Sequence, residues 1–408
     1  MAIKKATNSA AWNSVAWQEW DGSNWIASTT PVAGDYVYAN GFSVTITNGL
    51  NIGTGTLSNA GRDDIGVTAG GRFYIALSGN FNITANIEGG MSGSYATIQK
   101  ADGQSTGHTT TITGNLRTVV DGARCYADVG SQSLTSYVIT GNIDLCDNSS
   151  AVRSSNTGSF TLNGNVTTGT GCIVCSSGYR GVFKIVGNVT MNNSILLDGY
   201  ASSTIEISGN VTLRNGARFS NTTNTTTIPR ISLNNYDSDT NFTTQGATLV
   251  EVNGNFVQRG NNTKFSTRGI TTMSIYGTTT LYDTAFISGT INYLTLIGNL
   301  TYEDNPTPLG NLISLTVGDE FEIHCISSGS NDIIMISRYQ LNNTNQYPAE
   351  SNVKKDVPYA FGEKIGTYLP DYPPETVVLK DYVYDGGEMV GTLEQTVINT
   401  NTINIYKR

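Results

Sequence analysis

Three aspartate pairs have the residue type and spacing to do chemistry: Asp63/Asp64, Asp144/Asp147 and Asp237/Asp239. Two carboxyl groups roughly 5–9 Å apart can cleave a glycoside, one as acid and the other as base or nucleophile. Asp237 and Asp239 are the strongest catalytic candidates, because they fall where the repeat described below is longest and has lost its usual corner. The plain reading weighs more, since short Asp-rich loops are commonly solvated turns. The two histidines, His108 and His324, are far apart and neither has the Ser/Asp surroundings of a triad. His108 reads as part of a loop and His324 as part of a strand. Cys172 and Cys175 have CxxC spacing, but zinc would need a second such pair, and small buried strand residues are the simpler reading. The segment "GTGTLSNAG" lacks the lysine and the following helix of a phosphate loop. The expectation is therefore no metal, no cofactor and no enzyme, with a polysaccharide hydrolase or lyase as the alternative.

Whatever these residues do, a highly regular scaffold must position them. In a chain of 408 residues only 13% are charged, 38% are apolar and glycine numbers 45. This describes an ordered chain rich in turns. A formal charge of −9 disfavours a nucleic-acid backbone as partner. No apolar run approaches the roughly 20 residues of a membrane span, so membrane insertion is not expected. The start, "MAIKKATNSAAWNSVAWQEW", has no apolar core of a leader, which points to synthesis in a cytoplasm without a secretory signal. Five cysteines do not suggest a disulfide framework.

The stretch "IEISGNVTLRNGARF" (205–219) recurs along the middle of the chain. Gly79, Gly114, Gly141, Gly164, Gly187, Gly209, Gly254 and Gly298 are each followed by asparagine, and Gly277 by Thr278. Successive spacings are 35, 27, 23, 23, 22, 45, 23 and 21 residues; the 45 hides a degenerate copy ending at Asn235, and the 35 reads as one turn with an insertion. Apolar residues stand two and four positions before and after the glycine, as in Ile75/Leu77 and Phe81/Ile83 around Gly79 or Ile205/Ile207 and Val211/Leu213 around Gly209. A third apolar position follows at Cys125, Val152, Cys175, Leu197, Phe219, Phe265 and Phe286. Three inward sites in about 22 residues describe one coil of a parallel β-helix, which must stack on copies of itself to bury its apolar face. The expected fold is all-β: a right-handed parallel β-helix of about ten coils over residues 75–303. Glycine at Gly164, Gly187 and Gly209 supplies corner conformations, and Asn165, Asn188 and Asn210 form a ladder of stacked amides. The N-x-T triplets, which resemble glycosylation acceptors, fall out of this ladder.

The ends differ in composition. Residues 1–74 hold all four tryptophans, Trp12, Trp17, Trp20 and Trp25, as a cap over the first coil or as an attachment segment. Asn40-Gly41 reads either as a hairpin turn or as a corner with the usual pair reversed. Residues 304–346 read as a β cap or linker, in which "LISLTVGDEFEIHCI" supplies two strands. In 347–408, "YPAESNVKKDVPYAFGEKIGTYLP" matches "YPPETVVLKDYVYDGGEMVGTLEQ" at an offset of 25. This duplication makes Tyr347, Tyr359, Tyr372, Tyr382 and Tyr384 the interface candidates, together with Trp12, Trp17 and Trp20.

Three features together resemble bacteriophage virion proteins: the start "PVAGDYVYANGFSVTI", the Gly-Asn β-helix, which is similar to tailspike and fibre shafts, and the terminal "VVLKDYVYDGGEMVGTL". The resemblance implies a virion-located head or tail fibre, appendage or decoration. Its partners would be other virion proteins, further copies of itself and a host cell-surface glycan. A polysaccharide-degrading receptor-binding spike and a bacterial surface adhesin stand as the alternatives.

Overall fold

The computed structural model describes residues 1–303 apart from 77–78, 94–95, 101–107, 129–134, 180, 199–203, 221–227, 241–246, 261–262, 266–269, 284 and 288–290. Beyond these it describes the strands at 314–317, 323–327, 330–334, 358–359, 364–365, 383–384, 389–390, 394–399 and 403–407. The fold is almost entirely β, with parallel strands stacked as a β-solenoid of about nine turns. The chain forms two compact units, Met1–Asn234 with Ser238–Thr248, and Asn235–Asp237 with Leu249–Arg408.

In the first unit each turn lays down three strands, and each strand pairs in parallel with its equivalent one turn on. The first face carries the residues before the corner: Phe81, Thr110, Tyr137, Phe160, Phe183 and Ile205 are register partners in succession. The second face carries those after it, with Ile87, Leu116, Ile143, Val166, Val189 and Val211 aligned. The third aligns Phe73, Ile98, Tyr126, Val152, Cys175 and Leu197. Alternation sends these side chains inward, and every one is buried. The rings of Phe160 and Phe183 stack at 4.8 Å with a 9° tilt, the direct result of like residues sitting one strand spacing apart.

Ile207 and Val211 are 2% and 1% exposed, as their place in the repeat predicts. The third row needs adjustment at three points, the first being that Leu197 is in register with Ser220 rather than with Phe219. Tyr126, rather than Cys125, is the register partner of Val152. In the second unit Phe265 pairs with Ile287 rather than Phe286. A bend in this side accounts for the ambiguity, because two successive residues, such as Val174 and Cys175, are both buried.

Parallel stacking begins well before residue 75. Ile3–Ala6 pairs with Tyr36–Tyr38, which pairs with 56–58, while Ser43–Ile46 pairs with Ala10–Ala11 and with Arg72–Ile75. The strands on either side of Asn40-Gly41 therefore belong to different faces, and the pair is a corner. Asn40 has φ 53°; its amide donates to Ala6 O at 2.9 Å and accepts from Thr68 N at 2.7 Å. The upstream end of the sheet is closed by reversal: Trp17–Trp20 runs antiparallel to Ile3–Ala6, and Trp25–Ser28 antiparallel to Trp17–Trp20.

The second unit repeats the pattern. Phe256, Thr279, Leu300 and Ile323 align on one face, and Met273, Leu294 and Leu315 on another. Tyr236 and Phe256 stack at 5.0 Å, with Phe265 edge-on to both. The segment containing Ser314–Val317 and Ile323–Ser327 continues the parallel stack, and Ser330–Ile334 then pairs antiparallel with Ile323–Ser327. Further on, Pro358–Tyr359 pairs with Lys364–Ile365 and Val383–Tyr384 with Met389–Val390. These two small hairpins occupy the same positions of the 25-residue duplication.

Candidate functional site

The corner between the first two faces departs from the expectation in two ways. Asn115 N–H donates to Asn86 Oδ1 at 2.9 Å, and the same bond recurs from Asn142 to Asn115, Asn165 to Asn142, Asn188 to Asn165 and Asn210 to Asn188, all at 2.8–2.9 Å. Asn165, Asn188 and Asn210 thus form one ladder as expected, but its bonds run from backbone N–H to side-chain oxygen rather than between amides. In the second unit Asn255 donates to Asn235 Oδ1 and Thr278 to Asn255 Oδ1. The glycines are required for space as much as for backbone conformation. A Cβ on Gly164 would lie 2.0 Å from Gly141 O, and one on Gly187 or Gly209 would lie 2.2 Å from the carbonyl oxygen of the preceding glycine.

Gly79-Asn80 is not part of this corner. Phe81 and Ile83 pair with Thr110 and Ile112, before the corner, and the equivalent of Gly114-Asn115 is Ala85-Asn86. The Gly-Asn dipeptide at 79 belongs to the preceding side, where Asn80 Oδ1 accepts from Thr109 N at 2.8 Å. The apparent spacing of 35 is therefore a turn of 29.

Four of the six carboxylate candidates are engaged by neighbouring groups. Asp237 Oδ1 accepts from Arg259 Nε at 3.1 Å, and that guanidinium also lies over the Tyr282 ring. Asp239 Oδ1 accepts the Asn215 backbone N–H at 2.9 Å, and its other oxygen is 3.9 Å from Arg214 Nε. Asp64 is chelated by Arg62, whose hydrogen bonds hold its carboxyl below the usual range. Asp147 receives the Thr170 N–H at 2.6 Å, whereas Asp144 is exposed in register with Arg117 one turn back. His108 begins the strand His108–Thr113 and is buried, in contrast to the loop expected; His324 lies on a strand as expected. Among the described residues no group of His, Cys, Asp and Glu could hold a metal. Cys172 is buried and donates to Cys146 O at 2.8 Å; burial raises its pKa and pushes the Cys125 thiol up to about 12.

The tryptophans are divided between two packing tasks. Trp12 and Trp17 meet edge-on at 5.0 Å, and Trp12 reaches Phe73. Trp20 and Trp25 pack with Tyr36 against a separate cluster of Tyr38, Ala60, Ile65 and Val67, and Trp25 Nε1 donates to Ile65 O. Trp17 is 3% exposed, so its ring is spent inside the molecule. Beside this cluster lies a network that sequence reasoning missed. Buried Glu88 accepts from Ser58 Oγ at 2.8 Å and from Tyr36 OH, and pairs with Arg117. Burial, and then the Glu88 carboxylate, raise the Tyr36 pKa. Its members come from four different turns, which no local motif reveals.

Tyr359 and Tyr384 occupy equivalent places in the two C-terminal hairpins, while Tyr347, Tyr372 and Tyr382 lie outside the described residues. No family model, curated protein or solved structure matches this chain.

Proposed function

We propose that the chain is a structural protein of a bacteriophage virion: a β-helical fibre, appendage or decoration on head or tail that contacts other virion proteins and the host surface. One observation carries the reading. A stacked solenoid precedes a duplicated sequence in which the strand pair Pro358–Tyr359 with Lys364–Ile365 recurs, at an offset of 25 residues, as Val383–Tyr384 with Met389–Val390. Stacked turns followed by a duplicated sequence suit spacing and attachment, because duplicated weak contacts add through effective concentration. The arginine and backbone partners of Asp237 and Asp239 give those carboxylates structural work and support a non-enzymatic role.

Peptide mass spectrometry of purified particles from cells that express the chain tests the assignment, with a fixed stoichiometric copy number as the expected result. Recovery only in the soluble fraction, with none on particles, refutes it. A chain ending at Thr344 should keep its far-UV spectrum and lose particle attachment or self-association, which native mass measurement reads.

A further inference from the structure

We propose that Asn48, at an exposed bend between the third and first faces of the first unit, is a site of spontaneous covalent modification: its amide converts to aspartate and isoaspartate through a cyclic imide formed with Gly49. The chain holds five Asn-Gly dipeptides, at Asn40, Asn48, Asn163, Asn215 and Asn253. Their intrinsic chemistry is alike, because glycine has no side chain to shield its own nitrogen or restrict its rotation. The fold separates them by how it holds the two reacting groups.

In the first step the Gly49 backbone nitrogen attacks Asn48 Cγ. A C–N bond closes a five-membered ring, the Cγ–Nδ2 bond breaks, and the Gly49 amide proton departs with that nitrogen as ammonia. Water then opens the ring at either carbonyl. Opening at Cγ gives aspartate, and opening at the main-chain carbon gives isoaspartate, whose main chain runs through Cγ. Nothing is oxidised or reduced, and water is the only co-reactant. The step needs a side-chain amide free to turn, a glycine N–H committed to no other group, and a main chain able to rotate between them.

Four of the dipeptides are restrained. The Asn40 side chain is held at both ends, by Ala6 O and Thr68 N–H, and Gly41 N–H donates to Gly70 O at 2.9 Å. Gly164 N–H donates to Val186 O and Asn163 O accepts from Gly141 N–H, both at 3.1 Å, so that peptide is tied on two sides. Asn215 Nδ2 donates to Asn192 Oδ1 at 2.7 Å, and its N–H is held by Asp239. Asn253-Gly254 forms the matching corner of the second unit, where Gly277 N–H donates to Gly254 O at 3.1 Å and the Gly277 backbone packs closely on it.

Asn48 meets every requirement. Thr47, Asn48 and Gly49 are all exposed. Among the described residues, no hydrogen bond is made by the Asn48 side chain or by Gly49 N–H. A Cβ on Gly49 would meet only Asn82 within 4 Å, so the bend has open space around it. The chain is anchored on either side, by Ser43–Ile46 and by Leu50 in register with Ile83, and rotation at Asn48 moves exposed atoms alone. Exposed bends of this kind open locally at little cost. The product adds a negative charge and, as isoaspartate, one main-chain atom. The column already accepts unequal lengths here, since three residues separate Ile46 from Leu50 and five separate Ile75 from Phe81 one turn on. The site is independent of the virion assignment, and its failure leaves that reading untouched.

The test is incubation of the folded full chain in neutral and in mildly alkaline buffer made with heavy-oxygen water, followed over time by peptide mass spectrometry with fragment spectra that fix the position. Asn48 should take up the heavy oxygen at least tenfold faster than any of the other four asparagines, as two separable products of equal mass. The rate should rise in the alkaline buffer, because attack requires loss of the Gly49 amide proton. In the urea-unfolded chain the five should react at similar rates, removing the lead of Asn48. Asn48→Gln, at an exposed position that leaves the fold intact, should abolish the signal, since the longer side chain would have to close a six-membered ring. A faster reaction at another of the five in the folded chain, or a lead of Asn48 that persists undiminished in urea, overturns the proposal.

Discussion

Gly164→Ala and Gly79→Ala are the same chemical change in the same dipeptide, and the structure assigns them opposite consequences. At Gly164 the new methyl would lie 2.0 Å from Gly141 O and 2.6 Å from its carbon, where ordinary contact begins at 3.4 Å. Neither atom belongs to a side chain that can rotate away. Gly164 N–H also donates to Val186 O at 3.1 Å, so the strand is tied on its other side as well. The turns must part locally, an overpacking that costs about 3 kcal/mol. At Gly79 nothing lies within 4 Å of the added carbon and φ is not in the left-handed range. That change should be neutral or stabilise by up to about 1 kcal/mol through the unfolded chain. With an m-value of about 3 kcal/mol/M in urea, Gly164→Ala moves the midpoint down by about 1 M. Far-UV circular dichroism is the assay of choice, because all four tryptophans lie in the first 25 residues and their fluorescence reports that end alone. Equal midpoints for the two variants, or a larger loss at Gly79, would refute the argument that corner glycines are kept for space.

Leu213 is fully buried, so Leu213→Asp places an unpaired charge in the column and should cost several kcal/mol, read as a lower urea midpoint. Asn188→Ala removes the acceptor for Asn210 N–H only, at an exposed corner where water can substitute, and should cost about 1 kcal/mol. Glu88→Gln weakens a buried network of Tyr36, Ser58 and Arg117 and should lower the midpoint seen by tryptophan fluorescence more than that seen by circular dichroism. The Cys125 thiol, raised by burial from 9.0 to about 12, contributes stability that is fully present below pH 9 and is lost as pH rises towards 12. Cys125→Ala should flatten that alkaline decline in a pH series of unfolding midpoints.

Much of the column was legible because its period is stated in residue types. Alternation around each glycine marks the inward positions, and even the degenerate copy ending at Asn235 takes its place in the ladder as the acceptor for Asn255. What misled was a dipeptide standing for a place. Gly79-Asn80 repeats the letters one side early, while the true corner, Ala85-Asn86, lacks the glycine. The Glu88 network was invisible for another reason. Its members come from different turns, and turn length varies, so no fixed offset connects them in sequence. The N-terminal stack was hidden by tryptophans that signalled a cap, although the strands beneath them already pair in parallel.

The spacings between consecutive corner asparagines are 29, 27, 23, 23 and 22 residues, yet the bond between them stays at 2.8–2.9 Å. The circumference is free to vary while the corner is not. Each pass through the asparagine therefore resynchronises the chain, and a length change on one side is absorbed before the next turn begins. A coiled coil has no such checkpoint, since one inserted residue shifts every later contact. This molecule can accept new loops turn by turn, leaving all later layers in step.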